Sequence, residues 1–458
     1  MRLTSLKLQN FRGFERYETQ LHPQFNLLIG ENGSGKTSIL EAASVAIGAW
    51  LLAFPSTDSR HIKLRDVRRV FEEVHGRSRQ LPQFPVVIRA EGEISISKAD
   101  SPDDDPVTLH RSWERSLNGA GGKTTQAHAA SLKQLARTFS EKTLTGEPYL
   151  LPVVRYFGAG RLWESVRTTE GMRLARGGGA PARGDGAELA REELSSPFFG
   201  YRLSVDKRCN PADLISWMAA ERRIEQDEDR ESPALRTVYS AIRSMMPELA
   251  GARYNIRLGT LILERENGDY IRFSDLSDGY RNVIAIAADI AIRMVMLNPH
   301  LADNALLMTP GVILIDEIDL HLHPMWQRRI VDDLRRTFPK VQFICTTHSP
   351  FIVQSLRSGE ELISLDSEVI SNVNNLPIAE VAEGLMGVSE TEYSERYVHM
   401  KDTATSYLES LQEMPIEPGQ RLDDFKERLA RKISPYADNP AFQAFLEMKL
   451  AAKEGADG

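Results

Sequence analysis

This 458-residue sequence contains few cysteines and no long apolar run. Its cysteines are Cys209 and Cys345, so at most one disulfide could form, and a disulfide-rich secreted fold is excluded. No run of about 18 apolar residues is present, which argues against a membrane-spanning helix. The opening residues MRLTSLKLQNFRGF contain neither the apolar stretch nor the cleavage site of a secretory signal. These absences predict a cytoplasmic protein.

An excess of positive charge is lacking as well. Lys and Arg number 56 against 64 Asp and Glu, and the formal net charge is −8, so the molecule as a whole has no basic field for nucleic acid. A local contact with DNA phosphates is still open for the basic run RHIKLRDVRR, residues 60–69, which begins with Arg60 and ends with Arg69. The alternative interpretation of this run is a solvated face.

A glycine-rich loop follows the apolar segment FNLLI and precedes a helical pattern. Its sequence GENGSGKT, residues 30–37, fits G-x-x-x-x-G-K-[ST], in which backbone N–H groups surround phosphates. In this pattern Lys36 reaches the β- and γ-phosphates and the hydroxyl of Thr37 ligates Mg²⁺. We therefore predict a Mg-ATP site, here called the phosphate-binding loop. Its candidate nucleotide-binding residues are Gly30, Asn32, Gly33, Ser34, Gly35, Lys36, Thr37 and Ser38.

Two carboxylates follow the apolar run VILI at residues 312–315. A strand buried on both faces would deliver Asp316 and Glu317 to the carboxyl edge of a parallel sheet, where ligands bind. We predict that Asp316 joins Thr37 as a Mg²⁺ ligand. Glu317 is the predicted catalytic residue that polarises the water attacking the γ-phosphate.

Four motifs, in this order, resemble those of ABC-type ATPases. They are GENGSGKT at 30–37 (Walker A), LSDGYR at 276–281 (signature), DE at 316–317 (Walker B) and THS at 347–349 (switch histidine). The start LKLQNFRGFE resembles the RecF, SMC and Rad50 branch. The blocks PVVRYFGAGRLW, IDEIDLHLHPMWQRRIV and TTHSPFIVQSL are similar to the PtuA family of ATPase subunits from Septu-type antiphage systems, also found as retron effectors.

The resemblance implies a homodimer or larger assembly with ATP sandwiched head to tail. Ser277 and Gly279 would contact the γ-phosphate bound on the neighbouring protomer. His348 would sense it from the same chain as a second catalytic residue, and Arg12 would lie near the nucleotide. The signature is LSDGYR instead of LSGGQ, and no heptads for a coiled-coil arm are present.

The segment DLHLH after the Asp-Glu pair has three interpretations. Asp319, His321 and His323 alternate, so they could share one face as ligands of zinc or manganese. The resemblance implies instead that this segment crosses the dimer interface, where Asp319 and His321 would make hydrogen bonds to the other protomer. Structural packing is the third interpretation.

One departure from the ABC pattern concerns the glutamine expected after the strand VVRYF. The segment reads Gly158-Ala159-Gly160-Arg161, so the glutamine is missing. Arg161 or Arg155 would then take over a phosphate or coupling role, and hydrolysis would be slow.

The strand and helix pattern predicts an α/β fold: an ABC-ATPase head with a mixed or parallel core sheet, an antiparallel β subdomain, a helical insertion and a C-terminal helical region. The alternating segment PVVIRAEGEISISK predicts an antiparallel strand pair within the β subdomain. We expect a first lobe at residues 1–160, a linker and helical insertion at 161–252, a second lobe at 253–375 and a partner-docking helical region at 376–458.

The function that the resemblance implies is ATP hydrolysis coupled to a partner nuclease of the HNH type in antiphage defence. A fused nuclease domain is not expected, because residues 376–458 are too short and too helical for one. Two alternatives stay open. One is a RecF-like repair ATPase that clamps DNA, and the other is a scaffold that uses ATP as an assembly ligand with little turnover.

Overall fold

A computed structural model describes residues 1–54, 57–74, 77–96, 107–147, 149–161, 196–366, 376–387, 395–412 and 448. The predicted linker, the Gly/Ala/Arg/Pro stretch RLARGGGAPARGDGAE at residues 173–188, lies outside the described residues, as does most of the C-terminal region after residue 412. The chain divides into two units, Met1–Val381 and Ala382–Gly458. Within the described residues, no helix is both long and apolar enough to cross a membrane.

Fourteen strands are present in the described residues. In chain order they are β1 Arg2–Phe11, β2 Phe14–Gln20, β3 Phe25–Ile29, β4 Arg69–Val74, β5 Arg77–Pro82, β6 Val86–Ile96, β7 Val107–Leu117, β8 Val153–Phe157, β9 Leu249–Asn255, β10 Thr260–Arg265, β11 Tyr270–Arg272, β12 Gly311–Ile315, β13 Val341–Thr346 and β14 Leu362–Ser364.

Eleven α-helices accompany them in the same residues. They are α1 Lys36–Leu51, α2 Ala130–Leu144, α3 Pro211–Glu228, α4 Pro233–Met245, α5 Asp278–Leu297, α6 Ala305–Met308, α7 Pro324–Gln327, α8 Ile330–Thr337, α9 Pro350–Gln354, α10 Ile378–Met386 and α11 Glu395–Gln412.

The core sheet has the order β14-β3-β13-β12-β8, and all four of its pairings are parallel. Every residue of β3, β8, β12 and β13 is buried, which explains why these segments are continuous apolar runs without alternation. The predicted α/β class is confirmed, and the core sheet is purely parallel in the described residues. Because the strands are parallel, their carboxyl ends all lie along one edge.

The β subdomain is a four-stranded antiparallel sheet of order β2-β1-β6-β7. The prediction of a strand pair within PVVIRAEGEISISK is wrong, because residues 86–96 form the single strand β6. A Cβ at Gly92 would lie 2.5 Å from the carbonyl oxygen of Arg2, so glycine permits the close approach of β1.

The helical insertion is formed by α3 and α4, each with proline in its first turn and a side-chain cap. Asn210 accepts a hydrogen bond from the Ala212 amide, and Ser232 accepts one from the Leu235 amide. The long helix α5 follows, and of its 20 residues 15 are buried. This helix begins directly after Ser277, its N-cap residue.

Candidate functional site

Segments at the carboxyl edge of the core sheet carry most of the predicted site residues. The phosphate-binding loop follows β3, Asp316 and Glu317 follow β12, and His348 follows β13. Because β13 lies between β3 and β12, these three segments are neighbours. Gly158 and Arg161 follow β8, the next strand along. The structure therefore brings segments that are far apart in sequence to one edge.

The phosphate-binding loop depends on glycine at three positions. Gly30, Gly33 and Gly35 have φ angles of 149°, 91° and 106°, which side chains with a Cβ rarely adopt. Space is limited too, since a Cβ at Gly35 would lie 2.5 Å from the ring of Phe14. Helix α1 begins at once, at Lys36, with no capping side chain and no acidic residue in its first turn. Its N-terminal amides can therefore bind an anion.

The side chains of the loop differ in exposure. Asn32 is exposed and Ser38 half-buried, whereas the buried hydroxyl of Ser34 has no hydrogen-bond partner among the described residues. The Nζ of Lys36 donates to the carbonyl oxygens of Gly30 and Glu31 at 2.7 and 2.9 Å. Burial lowers the pKa of Lys36. Lys36 thus lies folded over the loop, where it can exchange carbonyl partners for phosphate oxygens.

Asp316 is the centre of an oxygen-rich contact set. The Thr37 hydroxyl lies 3.0 Å from its Oδ1 and 3.1 Å from its Oδ2. The Thr346 hydroxyl donates to the same Oδ1 at 2.7 Å. A hydroxyl next to a buried carboxylate is the hard-oxygen chemistry that Mg²⁺ accepts. Thr37 and Asp316 therefore fit the role of the two protein ligands.

Glu317 has an unusual backbone. Its φ of 51° lies in the left-handed region, which costs a non-glycine residue about 1–3 kcal/mol and occurs at functional sites. Its amide donates to the Thr346 hydroxyl at 2.7 Å, and its carbonyl accepts from Arg161 at 3.1 Å. Hydrogen bonds thus fix both the amide and the carbonyl of the residue, and its side chain is half-buried.

Neither arginine near the missing glutamine has a guanidinium available for phosphate. Arg155 donates to Asp289 at 2.7 Å and to the Leu203 carbonyl at 2.9 Å, deep in the fold. Arg161 is 1% exposed and donates to the carbonyls of Asp316 and Glu317 at 2.7 and 3.1 Å. Both guanidinium groups bind backbone carbonyls, so neither arginine is supported as a phosphate ligand.

The signature residues lie at the start of α5. Ser277 is exposed at the N-cap position, and Gly279 is buried. A Cβ at Gly279 would lie 2.5 Å from the His321 carbonyl oxygen, so glycine permits contact with the segment that follows Asp316 and Glu317. The predicted contact of the exposed Ser277 with a γ-phosphate on a neighbouring protomer stays a prediction.

The DLHLH segment makes contacts inside the chain. Asp319 Oδ1 accepts from the Thr347 hydroxyl at 2.6 Å and from the His348 amide at 3.4 Å. His323 Nδ1 accepts from the Met325 amide and caps α7, while His321 is exposed with a φ of 62°. No group of three metal-binding side chains occurs in the described part of the chain. His348 itself is exposed at the end of β13.

Arg12 lies beside the first turns of α1. Its guanidinium donates to Asp66 at 2.9 and 3.0 Å and to Glu41 at 2.5 Å. Glu41 is 3% exposed and also pairs with Arg60 and Lys207. Burial lowers the pKa of Lys207 to about 8. Three cations thus share two buried carboxylates next to the phosphate-binding helix.

The basic run at residues 60–69 is therefore not one surface. Arg60 points inward to Glu41, and Arg68 pairs with Glu15 at 3.1 Å. Lys63, Arg65 and Arg69 are exposed. Only part of the run could meet a nucleic-acid backbone.

Several residues at this edge were not predicted. Thr346 binds both Asp316 and Glu317, Asn282 binds Arg161 at 2.7 Å, and Asp366 accepts from the Glu31 amide at 2.5 Å. Thr346 directly precedes the switch segment in sequence, which was a usable signal. Asn282 differs from its neighbours only as a polar residue in the apolar face of a helix. Nothing in the local sequence predicts a role for Asp366.

Comparison with protein families agrees with this geometry. Residues 25–354 match the family described as AAA domain, putative AbiEii toxin, Type IV TA system, and residues 1–45 match the AAA ATPase domain. The first match includes both the phosphate-binding loop and the Asp316-Glu317 pair. The chain belongs to this AAA family. It is an ATP-binding ATPase, as its motifs predict.

Individual relatives show the same likeness. The Retron Vc95 probable ATPase of Vibrio cholerae is 26% identical over 426 residues, 86% of this chain and 80% of that protein. The Septu protein PtuA of Bacillus thuringiensis is 32% identical over 164 residues, 33% of this chain and 40% of that protein. The resemblance to PtuA and retron ATPases is thereby confirmed.

A solved structure, the SMC head domain from Thermotoga maritima, is 13% identical, with a TM-score of 0.37 over 81% of this chain and 99% of that one.

Proposed function

We propose that this ATPase hydrolyses ATP at the carboxyl edge of its core sheet, with Glu317 as the residue that orients the attacking water. The observation that carries the proposal is the contact of Thr37 with Asp316, at 3.0 and 3.1 Å, one residue before Glu317. It joins the loop that would hold the phosphates to the turn that would hold the water.

Each side chain has a physical task in this scheme. The amides of the phosphate-binding loop and Lys36 bind the β- and γ-phosphates, and Ser34 and Ser38 can add hydroxyl contacts. Thr37 and Asp316 would hold Mg²⁺, which supplies charge neutralisation at the phosphates when bound. Glu317 accepts a hydrogen bond from water in line with the γ-phosphate. Catalysis then rests on positioning and charge.

We further propose that two copies close head to tail over ATP. Ser277 and Gly279 of one copy would cap the γ-phosphate held by the other, and His348 would contact it from the same side as the phosphate-binding loop. The exposure of both Ser277 and His348 supports this, because an exposed serine loop can reach a neighbouring protomer. Arg12, paired with Glu41 on α1, would act on the nucleotide through that helix.

The biological role we propose is antiphage defence with a partner nuclease of the HNH type. Its support is the likeness to proteins named Septu PtuA and retron ATPases. The ATP-bound and ATP-free states of the dimer would present different surfaces to the partner. Copurification of a tagged chain from its host, followed by mass measurement, tests the partner and its stoichiometry together.

The catalytic proposal is tested with Glu317→Gln. Loss of the carboxylate should lower steady-state ATP turnover about 100-fold or more, by analogy with other groups that act mainly in the transition state. The affinity for Mg-ATP, measured by calorimetry, should change little, because binding depends on the phosphate-binding loop. Lys36→Ala is the matched control, since it should lose binding as well. Unchanged turnover in Glu317→Gln would contradict the catalytic proposal, and together with a near-zero wild-type rate it would indicate a scaffold.

DNA clamping is the second candidate, and its support is the exposed cations Lys63, Arg65 and Arg69. Replacing Lys63 and Arg65 by Glu should weaken binding to a labelled DNA duplex and reduce its salt dependence by about one unit of slope per lost phosphate contact. Binding that does not respond to this change would remove the candidate.

A further inference from the structure

Arg161 lies at a junction between three segments of the site. Its Nε donates to Asn282 Oδ1 at 2.7 Å, on helix α5. Its two terminal nitrogens donate to the carbonyl oxygens of Gly158, Asp316 and Glu317, at 3.0, 2.7 and 3.1 Å. One guanidinium thus joins the end of β8, the start of α5 and the Asp-Glu turn.

The junction is built as a rigid unit. Arg161 and Asn282 are each 1% exposed, and the arginine guanidinium is charged at neutral pH. Charge-assisted hydrogen bonds in a buried setting are stronger than neutral ones. Breaking the hydrogen bonds of Arg161 therefore costs much free energy, and water does not readily replace these partners.

Asn282 extends the junction to the segment beyond the Asp-Glu turn. Its Nδ2 donates to the Leu320 carbonyl at 3.1 Å. Gly279, one turn earlier on α5, packs against the carbonyl of His321 so closely that a Cβ would lie 2.5 Å from it. The first turn of α5, which Ser277 precedes, cannot move without disturbing residues 316–321.

Glu317 is the residue that such a movement would affect most. Its left-handed backbone, with φ of 51°, persists only if its surroundings hold it. The amide is held by Thr346 and the carbonyl by Arg161. Release of the carbonyl would let the backbone relax and would move the carboxylate.

We propose that Arg161 is a positioning residue that couples the Ser277 loop to Glu317, so that engagement of this loop sets the orientation of the Glu317 carboxylate. The inference rests on the proposed role of Glu317 in hydrolysis. Arg161 touches neither the nucleotide nor the water; it acts through the backbone of the turn and through Asn282.

The test measures kcat and KM for Mg-ATP in the full chain with four variants. Arg161→Met removes the guanidinium, and Arg161→Lys keeps the charge but has three N–H donors for four acceptors, namely three carbonyls and Asn282. Asn282→Leu removes the acceptor for Arg161, whereas the near-isosteric Asn282→Asp retains it. Both Asn282 variants lose the bond to Leu320. Asn282→Asp keeps an acceptor for Arg161 and adds a negative charge that the guanidinium can pair with, whereas Asn282→Leu provides neither. Thermal melting gives the folded fraction of each.

A selective loss of kcat is expected. Arg161→Met should lower kcat about 100-fold and Asn282→Leu about tenfold, with KM within about threefold of wild type, as for interactions made in the transition state only. Arg161→Lys should lie between wild type and Arg161→Met, and Asn282→Asp should exceed Asn282→Leu. If Arg161→Met does not fold, the Asn282 pair decides alone.

Two results would overturn the inference. One is normal kcat per folded molecule in Arg161→Lys and Asn282→Leu, with lowered melting temperature only, which indicates a purely structural arginine. The other is equal kcat in Asn282→Asp and Asn282→Leu. Glu317→Gln, measured alongside, separates failure of the proposed function from failure of the coupling. If Glu317→Gln retains turnover, the proposed function fails. If Glu317→Gln loses turnover while the Asn282 variants have normal kcat, only the coupling through Arg161 is removed.

Discussion

The Thr37 hydroxyl lies 3.0 Å from Asp316 Oδ1, although the two residues are 279 positions apart. Thr37 belongs to the first turn of α1, and Asp316 directly follows the strand β12. This contact brings together the two proposed protein ligands of Mg²⁺.

Thr37→Val should raise the Mg²⁺ concentration needed for half-maximal ATP turnover, because valine keeps the shape of threonine but removes the oxygen ligand. We expect a shift of about tenfold, the effect of losing one ligand-strength interaction. A Mg²⁺ titration of turnover at saturating ATP measures it.

Thr37→Ser is the matched control, because it retains the hydroxyl. Its Mg²⁺ requirement should stay near that of wild type. A Mg²⁺ requirement in Thr37→Val that stays near that of wild type would show that the hydroxyl does not ligate the metal.

Asp289→Asn should destabilise the fold strongly. The carboxylate accepts from Arg155 at 2.7 Å and from Arg293 at 3.0 Å in the interior. Burial by itself would raise the pKa of Asp289, but the two arginines hold it below its usual range. Removing the charge leaves two buried guanidinium groups without a counterion, at a cost of about 3–5 kcal/mol. Urea denaturation followed by circular dichroism measures the loss.

Asp303→Asn is the control, since its ion pair with Arg236 is on the surface and contributes little.

The stabilisation by Asp289 should depend on pH. Its contribution to the free energy of unfolding is complete above the ordinary Asp pKa of about 4 and is lost as pH falls through its lowered folded pKa. The difference in the free energy of unfolding between wild type and Asp289→Asn should therefore persist from pH 8 to about 4 and shrink below that value. A gap that shrinks above pH 5 would contradict the pairing.

The parts of the fold that were predictable from sequence are those with a local signal. The apolar run at 312–315 indicates a strand buried on both faces, and the glycine pattern at 30–37 indicates a phosphate-binding turn, because each depends on neighbouring residues alone. The single strand β6 was not predictable in this way, because the close approach of β1 to Gly92 involves Arg2, which is far away in sequence.

The support around the site was not predictable in the same way. Arg161 stood out because a glutamine was missing there, yet its partners Asn282 and Glu317 lie 121 and 156 positions away. Nothing local distinguishes an arginine that holds backbone carbonyls from one that binds phosphate. The same holds for Arg60, whose charge suggested a DNA surface but whose guanidinium pairs with the buried Glu41.

Lys207 should react with amine reagents at lower pH than surface lysines do. Its pKa is lowered to about 8, mainly by burial and further by Arg60. Lys7 and Lys142 are useful references, because hydrogen bonds to Glu18 and Glu147 raise their pKa values. Acetylation by an N-hydroxysuccinimide ester, followed by peptide mass spectrometry from pH 6 to 11, gives a profile for each lysine.

The midpoint of that profile, and not the absolute rate, is the informative quantity, since Lys207 is less accessible than the other two. We expect a midpoint near 8 for Lys207 and a shift to higher pH in Arg60→Met, where a neighbouring positive charge is removed. Coincident midpoints for Lys207 and Lys7 would contradict the burial of this amine beside Arg60.

The most direct test of head-to-tail closure over ATP is the ATPase rate of an equimolar mixture of two inactive variants. Lys36→Ala should lose nucleotide binding, and Ser277→Arg should block the serine loop. A mixed dimer would pair the intact phosphate-binding loop of the Ser277→Arg chain with the intact serine loop of the Lys36→Ala chain. With random pairing and independent sites, the mixture should recover about a quarter of the wild-type rate. A mixed rate no higher than the mean of the two variants measured separately would contradict a site shared between protomers.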